Sequence, residues 1–260
     1  MQGADMIRLI RRMLKRNRAL YSFSATVYHS GQNFINHMML VPKGVRYLKP
    51  VELGGRYASQ YGQDYYLEKF GLISPGGFFV EVGCNHPRFN SNSYFLENEY
   101  GFTGISIDAI DYSEAFRVQR PNTQFIRGLV DTDAGVKDFY QVIDEDGWEN
   151  QVSSVYKETL SMGKGFEANV VKVESMPLRA VLKDRHDVDL LLVDVEGHEF
   201  AVLDSLDWET TKPKVILVEN SGEFYPRTRM ENYMARKGYE FFARIGSSDD
   251  IYRLKTPTEA

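Results

Sequence analysis

Residues 77–85 read Gly-Phe-Phe-Val-Glu-Val-Gly-Cys-Asn, and this stretch decides the fold. The apolar run at 78–82 predicts a short buried strand, and residues 91–100 predict a helix with Ser91 as its N-cap. A strand, a tight turn and a helix open a βαβ unit, in which ligands bind at the carboxyl end of the strand. Because a Cβ at Gly83 would collide with a ligand lying against the backbone, we expect a ligand site at this turn.

Strands and helices alternate along the rest of the chain. Further strands are predicted at 104–108, 123–127, 190–195, 214–219, 239–245 and 251–254, and helices at 63–70, 178–183, 199–206 and 227–237. Such alternation requires crossover connections, so the sheet is mostly parallel. The last two strands are joined too tightly for a crossover, and one of them must run antiparallel. We therefore expect an α/β fold with a mostly parallel, seven-stranded sheet that ends in an antiparallel hairpin.

Charge is divided unevenly along the chain. Residues 1–50 carry nine Lys and Arg against one Asp, a net charge of +8, whereas the other 210 residues carry 22 against 35 Asp and Glu, a net charge of −13. The acidic body argues against nucleic acid as a partner, because phosphate binding needs clustered cations. Residues 6–20 predict a basic amphipathic helix, which either packs on the domain or a second subunit or lies on an anionic membrane surface. We expect residues 1–55 to form this extension and a connector, and residues 56–260 to form one domain.

Cysteine content and hydropathy bear on the compartment. Cys84 is the only cysteine, so no internal disulfide can form and a reducing compartment is expected. No apolar run approaches the roughly 20 residues that a membrane-spanning helix needs. The basic start also lacks the apolar core of a secretory signal. The sequence thus predicts a cytoplasmic protein. Its basic N-terminal arm is the segment that is suited to peripheral binding at the inner face of a membrane.

Acidic side chains accompany the first two predicted strands. Asp108 ends the second strand, where an acidic side chain typically binds both hydroxyls of a ribose. Glu81 lies in the first strand and can accept a hydrogen bond from an amino group of a ligand. The two positions at this spacing favour a nucleoside-type cofactor between the strands.

The fourth and fifth predicted strands also end in oxygen-bearing side chains. Asp194 closes the apolar run at 190–195, and Glu219 and Asn220 close the next strand. Neighbouring strands of a sheet are about 5 Å apart, so these side chains are expected to lie close together. Carboxylate and amide oxygens suit Mg²⁺ or Mn²⁺. Two interpretations follow: either a divalent cation lies between Asp194, Glu219 and Asn220, or the site is metal-free and Asp194 and Glu219 orient the hydroxyls of a substrate.

These motifs resemble those of the FkbM methyltransferase family. Residues 77–97 are similar to that family's first motif, a strand ending in Asp-Val-Gly-Ala-Asn and often followed by His-Pro and Ser-Asn-Thr. Residues 101–108 are similar to its second strand, and residues 194–199 to its second hallmark. Glu81 stands where the family usually has Asp. The resemblance covers about residues 59–245 and implies a Rossmann-like class I methyltransferase fold.

The resemblance implies S-adenosylmethionine as the methyl donor and a sugar hydroxyl as the acceptor. The sugar would belong to a glycan, a glycolipid or a sugar-containing metabolite, as in polysaccharide biosynthesis. Ser91 and Asn92 begin the helix after the cofactor loop and either cap it or face the methionine end of the cofactor. The residues that carry over as cofactor contacts are Glu81, Gly83, Asn85 and Asp108.

A base is needed if the acceptor is a hydroxyl, because a sugar hydroxyl is a poor nucleophile at neutral pH. Glu196 and His198 follow the fourth strand and are the candidate bases. His86, in the cofactor loop, is a third candidate, although a lone histidine after a turn is more often structural. Glu199 is expected to be a first-turn acid of the next helix. Residues 136–172 are long and irregular, and we expect them to form an acceptor pocket or a lid.

Two other functions share parts of this pattern. A nicotinamide-dependent sugar oxidoreductase has the same start of a Rossmann fold, but Gly-x-Gly-x-x-Gly is missing and the closing hairpin argues against it. A non-catalytic subunit could keep the fold and tether a partner through the basic arm, but the intact acidic cluster argues against this alternative.

Overall fold

A computed structural model describes residues 45–142, 153–157 and 168–256. The predicted helix at 6–20 and the first four residues of the connector, which was predicted at 41–55, lie outside these described residues. The domain boundary near residue 55 therefore stays a prediction. Within the described ranges, every helix is too short or too polar to cross a lipid bilayer.

The core of the fold is a mostly parallel sheet. The described strands are, in chain order, β1 (Tyr47–Leu48), β2 (Phe78–Val82), β3 (Thr103–Asp108), β4 (Thr123–Arg127), β5 (Leu129–Val130), β6 (Gly135–Val142), β7 (Ala168–Met176), β8 (Leu190–Val193), β9 (Val215–Glu219), β10 (Tyr239–Ile245) and β11 (Asp249–Leu254).

The main sheet has the strand order β1-β10-β11-β9-β8-β2-β3-β4. β11 runs antiparallel to β9 and β10, and the other neighbours are parallel. The predicted α/β fold with its terminal antiparallel hairpin is thereby confirmed. The short edge strand β1, which pairs with β10, was not predicted and lies in the stretch expected to be a connector.

Helices cover both faces of this sheet. They are α1 (Gln63–Lys69), α2 (Tyr94–Tyr100), α3 (Ser113–Gln119), α4 (Leu178–Leu182), α5 (Glu199–Asp204) and α6 (Arg227–Arg236). In β8, Leu190 and Leu192 pack with α1 and α2, whereas Leu191 and Val193 pack with α4, α5 and α6. Because β8 is covered on both faces, each of its positions is apolar. The sequence did not predict α3, because Phe116 is its single buried residue and one apolar position gives no helical period.

A second sheet lies beside the carboxyl end of β3. Its strand order is β5-β7-β6, with β7 parallel to β5 and antiparallel to β6. The prediction that residues 136–172 are irregular is wrong at both ends, because these ends belong to β6 and β7. The alternation of Val171 and Val173 with charged residues was the available signal. Phe139 and Val173 pack against Ala109 and so fix this sheet next to the site.

Candidate functional site

A cavity opens where β2, β3 and β8 end, which is the edge at which parallel sheets bind ligands. Its walls come from the loops after these strands, from the start of β5 and from the segment 153–157. Eight predicted site residues line it, namely Glu81, Gly83, Asn85, Asn92, Asp108, Asp194, Glu196 and His198. Four others do not line it, namely His86, Ser91, Glu219 and Asn220.

Gly83 is required by the backbone of the neighbouring strand. Its φ is +80°, and a Cβ there would lie 1.7 Å from the carbonyl oxygen of Asp194. The collision predicted for a ligand is thus a collision with the chain itself. The glycine allows the loop after β2 to pass directly over the end of β8, which brings the two strand ends into one cavity.

The Asp108 carboxylate organises the loop after β2. It accepts hydrogen bonds from the backbone N–H of Asn85, at 2.7 Å, and of Ile110, at 2.9 Å. Burial raises the pKa of Asp108 to about 6, against the lowering effect of these N–H donors. Asn85 adopts a left-handed φ of +50°, and its side-chain oxygen accepts from the Tyr112 hydroxyl at 2.9 Å. The loop is therefore held in place before any ligand binds.

The Glu81 carboxylate is buried at the floor of the cavity. Its Oε2 accepts hydrogen bonds from the hydroxyls of Ser93, at 2.6 Å, and Ser106, at 3.0 Å. Burial raises the pKa of Glu81. Two hydroxyl donors on one oxygen fix the orientation of this carboxylate toward the cavity.

Ser91 and Asn92 take different roles at the start of α2. Ser91 is buried, and its hydroxyl accepts from the backbone N–H of Tyr94 at 3.1 Å, so it supports the first turn from outside the cavity. The N-cap position itself is Ser93, two residues later than predicted. Asn92 lines the cavity, and its Oδ1 is buried without a hydrogen-bond partner in the described part of the chain. An orphaned acceptor in a cavity calls for a donor from a ligand.

A buried arginine that the sequence did not single out braces this loop. Arg120 is fully buried and forms an ion pair with Glu97 at 2.7 Å. It also donates to the carbonyl oxygens of Pro87, at 2.9 Å, and Ser93, at 3.1 Å. In the sequence it stands alone before a proline, with no pattern that separates it from a solvated charge.

His198 lies at the opposite wall of the cavity. Its Nε2 is 3.2 Å from Oδ2 of Asp131, and its Nδ1 is 3.1 Å from the hydroxyl of Tyr156. Lys137 Nζ lies 2.6 Å from the same Asp131 oxygen. Burial lowers the pKa of His198, so the ring is neutral at pH 7. Asp131 and Tyr156 come from separate parts of the chain and were not predicted.

Glu196 lines the cavity from a left-handed backbone position. Its φ is +51°, and its carbonyl oxygen accepts from the Ser154 hydroxyl at 3.0 Å. Asn85 and Asn90 share this uncommon conformation and also line the cavity. Such outliers concentrate at functional sites. Glu199, by contrast, opens α5 as expected and accepts from the Gly197 N–H at 2.9 Å.

The structure does not support the predicted metal site. Asn220 is buried away from the cavity, where its amide donates to Asp250 Oδ2 at 2.6 Å and to the Arg227 carbonyl oxygen at 3.3 Å. Among the residues that the structure describes, no group of three His, Cys, Asp or Glu side chains is arranged to hold a metal ion. Burial raises the pKa of Asp194 to about 7 and raises that of Glu219 well above its usual value. Burial therefore favours the protonated form of both acids, and no metal-dependent step is derived from them.

His86 is also not brought to the cavity. Its Nδ1 accepts hydrogen bonds from the backbone N–H groups of Arg88, at 3.2 Å, and Phe89, at 3.0 Å. The imidazole therefore stabilises the turn after Asn85. This structural role was the more frequent one expected for such a histidine.

Solved structures that are similar to this chain include several methyltransferases. A precorrin-6y C5,15-methyltransferase from Geobacter metallireducens is similar over 79% of this chain and 94% of that chain, with a TM-score of 0.43 and 11% identity. A Plasmodium falciparum protein described as a ribosomal RNA methyltransferase is similar over 77% and 98%, with a TM-score of 0.43 and 14% identity.

A third similar structure is a phosphoethanolamine N-methyltransferase from Haemonchus contortus, with phosphoethanolamine and S-adenosylhomocysteine bound. It matches 90% of this chain and 46% of its own, with a TM-score of 0.33 and 11% identity. No protein of curated function matches the sequence. The model of the methyltransferase FkbM domain matches residues 79–241, which is more than half of the sequence. The chain therefore belongs to the FkbM methyltransferase family.

Proposed function

We propose that this methyltransferase transfers a methyl group from S-adenosylmethionine to a hydroxyl of a neutral sugar. The observation that carries the proposal is the chemistry of the cavity. Carboxylates and amides line it, and one buried amide oxygen, Asn92 Oδ1, has no hydrogen-bond donor among the described residues. Among the described lining residues there is no Lys or Arg.

The cavity fits the cofactor at both of its ends. The Asp108 carboxylate, already held by backbone donors, is placed to accept from the ribose hydroxyls. Glu81 and the unpartnered Asn92 Oδ1 are placed for the amino group at the methionine end. An acidic cavity also favours a cation, and S-adenosylmethionine carries a sulfonium and an ammonium. When bound, the cofactor supplies an electrophilic methyl group.

The acceptor side of the cavity suits a polyhydroxylated neutral molecule. Gln60, Asn90 and Ser153 line it with groups that can both donate and accept, whereas the amide of Gln63 is already bonded to the Tyr61 N–H and to Asp249. A phosphate-bearing acceptor would meet several carboxylates and no described cation in the lining. We therefore favour a sugar within a neutral glycan over a nucleotide sugar.

The base for the acceptor hydroxyl is His198 in this proposal. Its ring is neutral at pH 7 and is oriented by two hydrogen bonds. Glu196 lies on the same cavity and is the alternative base. Positioning of the hydroxyl by the amide side chains supplies the remaining contribution.

Isothermal calorimetry tests the donor directly. We expect purified protein to bind S-adenosylmethionine and S-adenosylhomocysteine and to ignore NAD. Binding of NAD instead would favour the oxidoreductase. Binding of the donor without transfer to any member of a broad glycan panel would favour the non-catalytic tethering subunit.

The basic arm and the compartment complete the proposal. We place the protein in the cytoplasm, in keeping with its single, buried cysteine. We propose that the net charge of +8 in residues 1–50 attaches it to an anionic membrane or a second subunit. Sedimentation of full-length protein with anionic vesicles at low salt, reversed at high salt, is expected for the membrane. No sedimentation would leave the subunit contact.

A further inference from the structure

We propose that Asp131 is a positioning residue that holds the His198 imidazole with Nδ1 as its basic nitrogen. The proposal rests on the proposed function, because the proton that His198 removes is that of the acceptor hydroxyl. Asp131 directly follows β5 of the second sheet, whereas His198 directly precedes α5 at the end of the main sheet. The contact between them therefore links the two sheets at the wall of the cavity.

The two partners of the ring specify one tautomer. The Asp131 carboxylate can only accept, so the proton of the neutral ring lies on Nε2, 3.2 Å away. The Tyr156 hydroxyl then donates to the lone pair of Nδ1, at 3.1 Å. Burial raises the pKa of Tyr156, which keeps this hydroxyl protonated at neutral pH. The hydrogen bonds of both Asp131 and Tyr156 therefore leave the lone pair on Nδ1, which makes Nδ1 the proton acceptor.

The charges around the ring shift the pKa of His198 in opposite directions. Burial lowers the pKa of His198, the Asp131 carboxylate raises it, and the Lys137 ammonium on β6 lowers it again. Asp131 is largely shielded from solvent, whereas the side chain of Lys137 is 44% exposed. The other titratable groups near the pair are Tyr156, which contacts the ring, and Glu199, whose charge raises the pKa of Tyr156, while Glu196 lines the same cavity. Asp131 and Lys137 therefore tune the imidazole with opposite sign.

The pair serves a balanced transfer of one proton and one methyl group. The acceptor hydroxyl takes the place of the Tyr156 hydroxyl at Nδ1 and gives its proton to that nitrogen. Its oxygen forms the new bond to the methyl carbon while the bond from that carbon to sulfur breaks, and the sulfur keeps the electron pair. The imidazolium that forms is stabilised by the Asp131 carboxylate and later loses its proton to water.

Nitrogen-15 NMR of the full-length protein, labelled at histidine, tests the pair without any acceptor. His198→Gln assigns the signal among the five histidines of the chain. We expect the wild-type ring to be the Nε2–H tautomer. We expect its pKa to fall in Asp131→Asn and to rise in Lys137→Met. Lys172→Met is the matched control, because Lys172 on β7 pairs with Asp138, the neighbour of Lys137 on β6, and should leave the His198 titration unchanged.

Kinetics supply a second readout. Asp131→Asn should lower kcat roughly 10- to 100-fold. The acid limb of its pH profile should move to lower pH, and that of Lys137→Met to higher pH. A purely structural contact would lower the folded fraction and leave both limbs in place.

Two results would overturn the proposed role of Asp131. One is a neutral His198 ring with its proton on Nδ1, and the other is an unchanged His198 titration in Lys137→Met. The second applies even if Asp131→Asn fails to fold, because Lys137 is half exposed. The NMR titration needs neither donor nor acceptor. A protein that shows the predicted titration and yet binds no S-adenosylmethionine would reject the proposed function alone.

Discussion

The carboxylate of Asp108 combines two tasks in one buried side chain. It holds the loop after β2 through the backbone N–H of Asn85 and the loop after β3 through that of Ile110, and it lines the cavity, where the proposed function has it accept from the cofactor ribose. Since burial raises its pKa to about 6, its charge changes within the range in which enzymes are assayed. Ribose hydroxyls donate best to the ionised form, so cofactor binding should follow this titration.

Asp108→Asn should weaken S-adenosylmethionine binding by roughly 1.5–3 kcal/mol, because hydrogen bonds to a charged group are lost. In the wild type, affinity should increase from about pH 5 to about pH 7, as Asp108 ionises through its raised pKa. Calorimetry at several pH values measures both effects. Asp111→Asn, an exposed change in the same loop, is the control and should match the wild type. Equal affinity in a folded Asp108→Asn would reject this role.

The two candidate bases can be separated by their neutral counterparts. His198→Gln should lower kcat about 10²- to 10⁴-fold, the usual contribution of a general base. Glu196→Gln should act mainly on KM for the acceptor. Single-turnover rates with saturating donor measure both variants. A large kcat loss in Glu196→Gln beside a nearly normal His198→Gln would make Glu196 the base.

At the scale of secondary-structure elements, the cofactor loop depends on the close approach of β2 and β8. Gly83→Ala should destabilise the fold by about 3 kcal/mol or more, since it adds a backbone collision to an unfavourable positive φ. Gly101→Ala is the matched control. Gly101 also has a positive φ, of +65°, but a Cβ there meets nothing within 4 Å, so a loss of about 1–2 kcal/mol is expected. Urea unfolding compares the two, and equal losses would contradict the account.

The bracing of the same loop by α3 and α2 gives another prediction. Arg120→Met should destabilise the protein by about 3–5 kcal/mol, because it leaves Glu97 buried without its ion-pair partner. Arg117→Met, on the same helix, removes an exposed pair with Glu114 and should change stability little. Thermal unfolding monitored by circular dichroism measures both. A mild Arg120→Met would mean that other contacts hold the loop.

The sequence predicted those parts of the fold that depend on local patterns. The apolar run of β8 and the turn at Gly83 are determined by neighbours along the chain, and Asp108 follows from its place at the end of β3. Asp131 and Arg120 could not be found in this way, because their partners are distant in sequence. The proximity of Asn220 to the cavity also could not be judged from its place after β9, because its amide donates to Asp250 and to the Arg227 carbonyl oxygen.

At the scale of the whole molecule, the parts converge on one cavity. The main sheet contributes the carboxylates that the proposal assigns to the cofactor. The second sheet contributes Asp131, which contacts His198. Carboxylates of the acidic body line this cavity, while the N-terminal fifty positions carry the net positive charge. This separation suits an enzyme that handles a cationic donor and a neutral acceptor while a distinct segment meets an anionic partner.

The central claim is transfer of a methyl group to a hydroxyl oxygen of a neutral sugar. The measurement is mass spectrometry of a panel of neutral glycans and matched sugar phosphates after incubation with S-adenosylmethionine labelled in its methyl group. We expect the label on an oxygen of a neutral glycan with the wild-type protein, and its near absence with His198→Gln. Label on a nitrogen or carbon atom, or on the sugar phosphates in preference to the neutral glycans, would contradict the account.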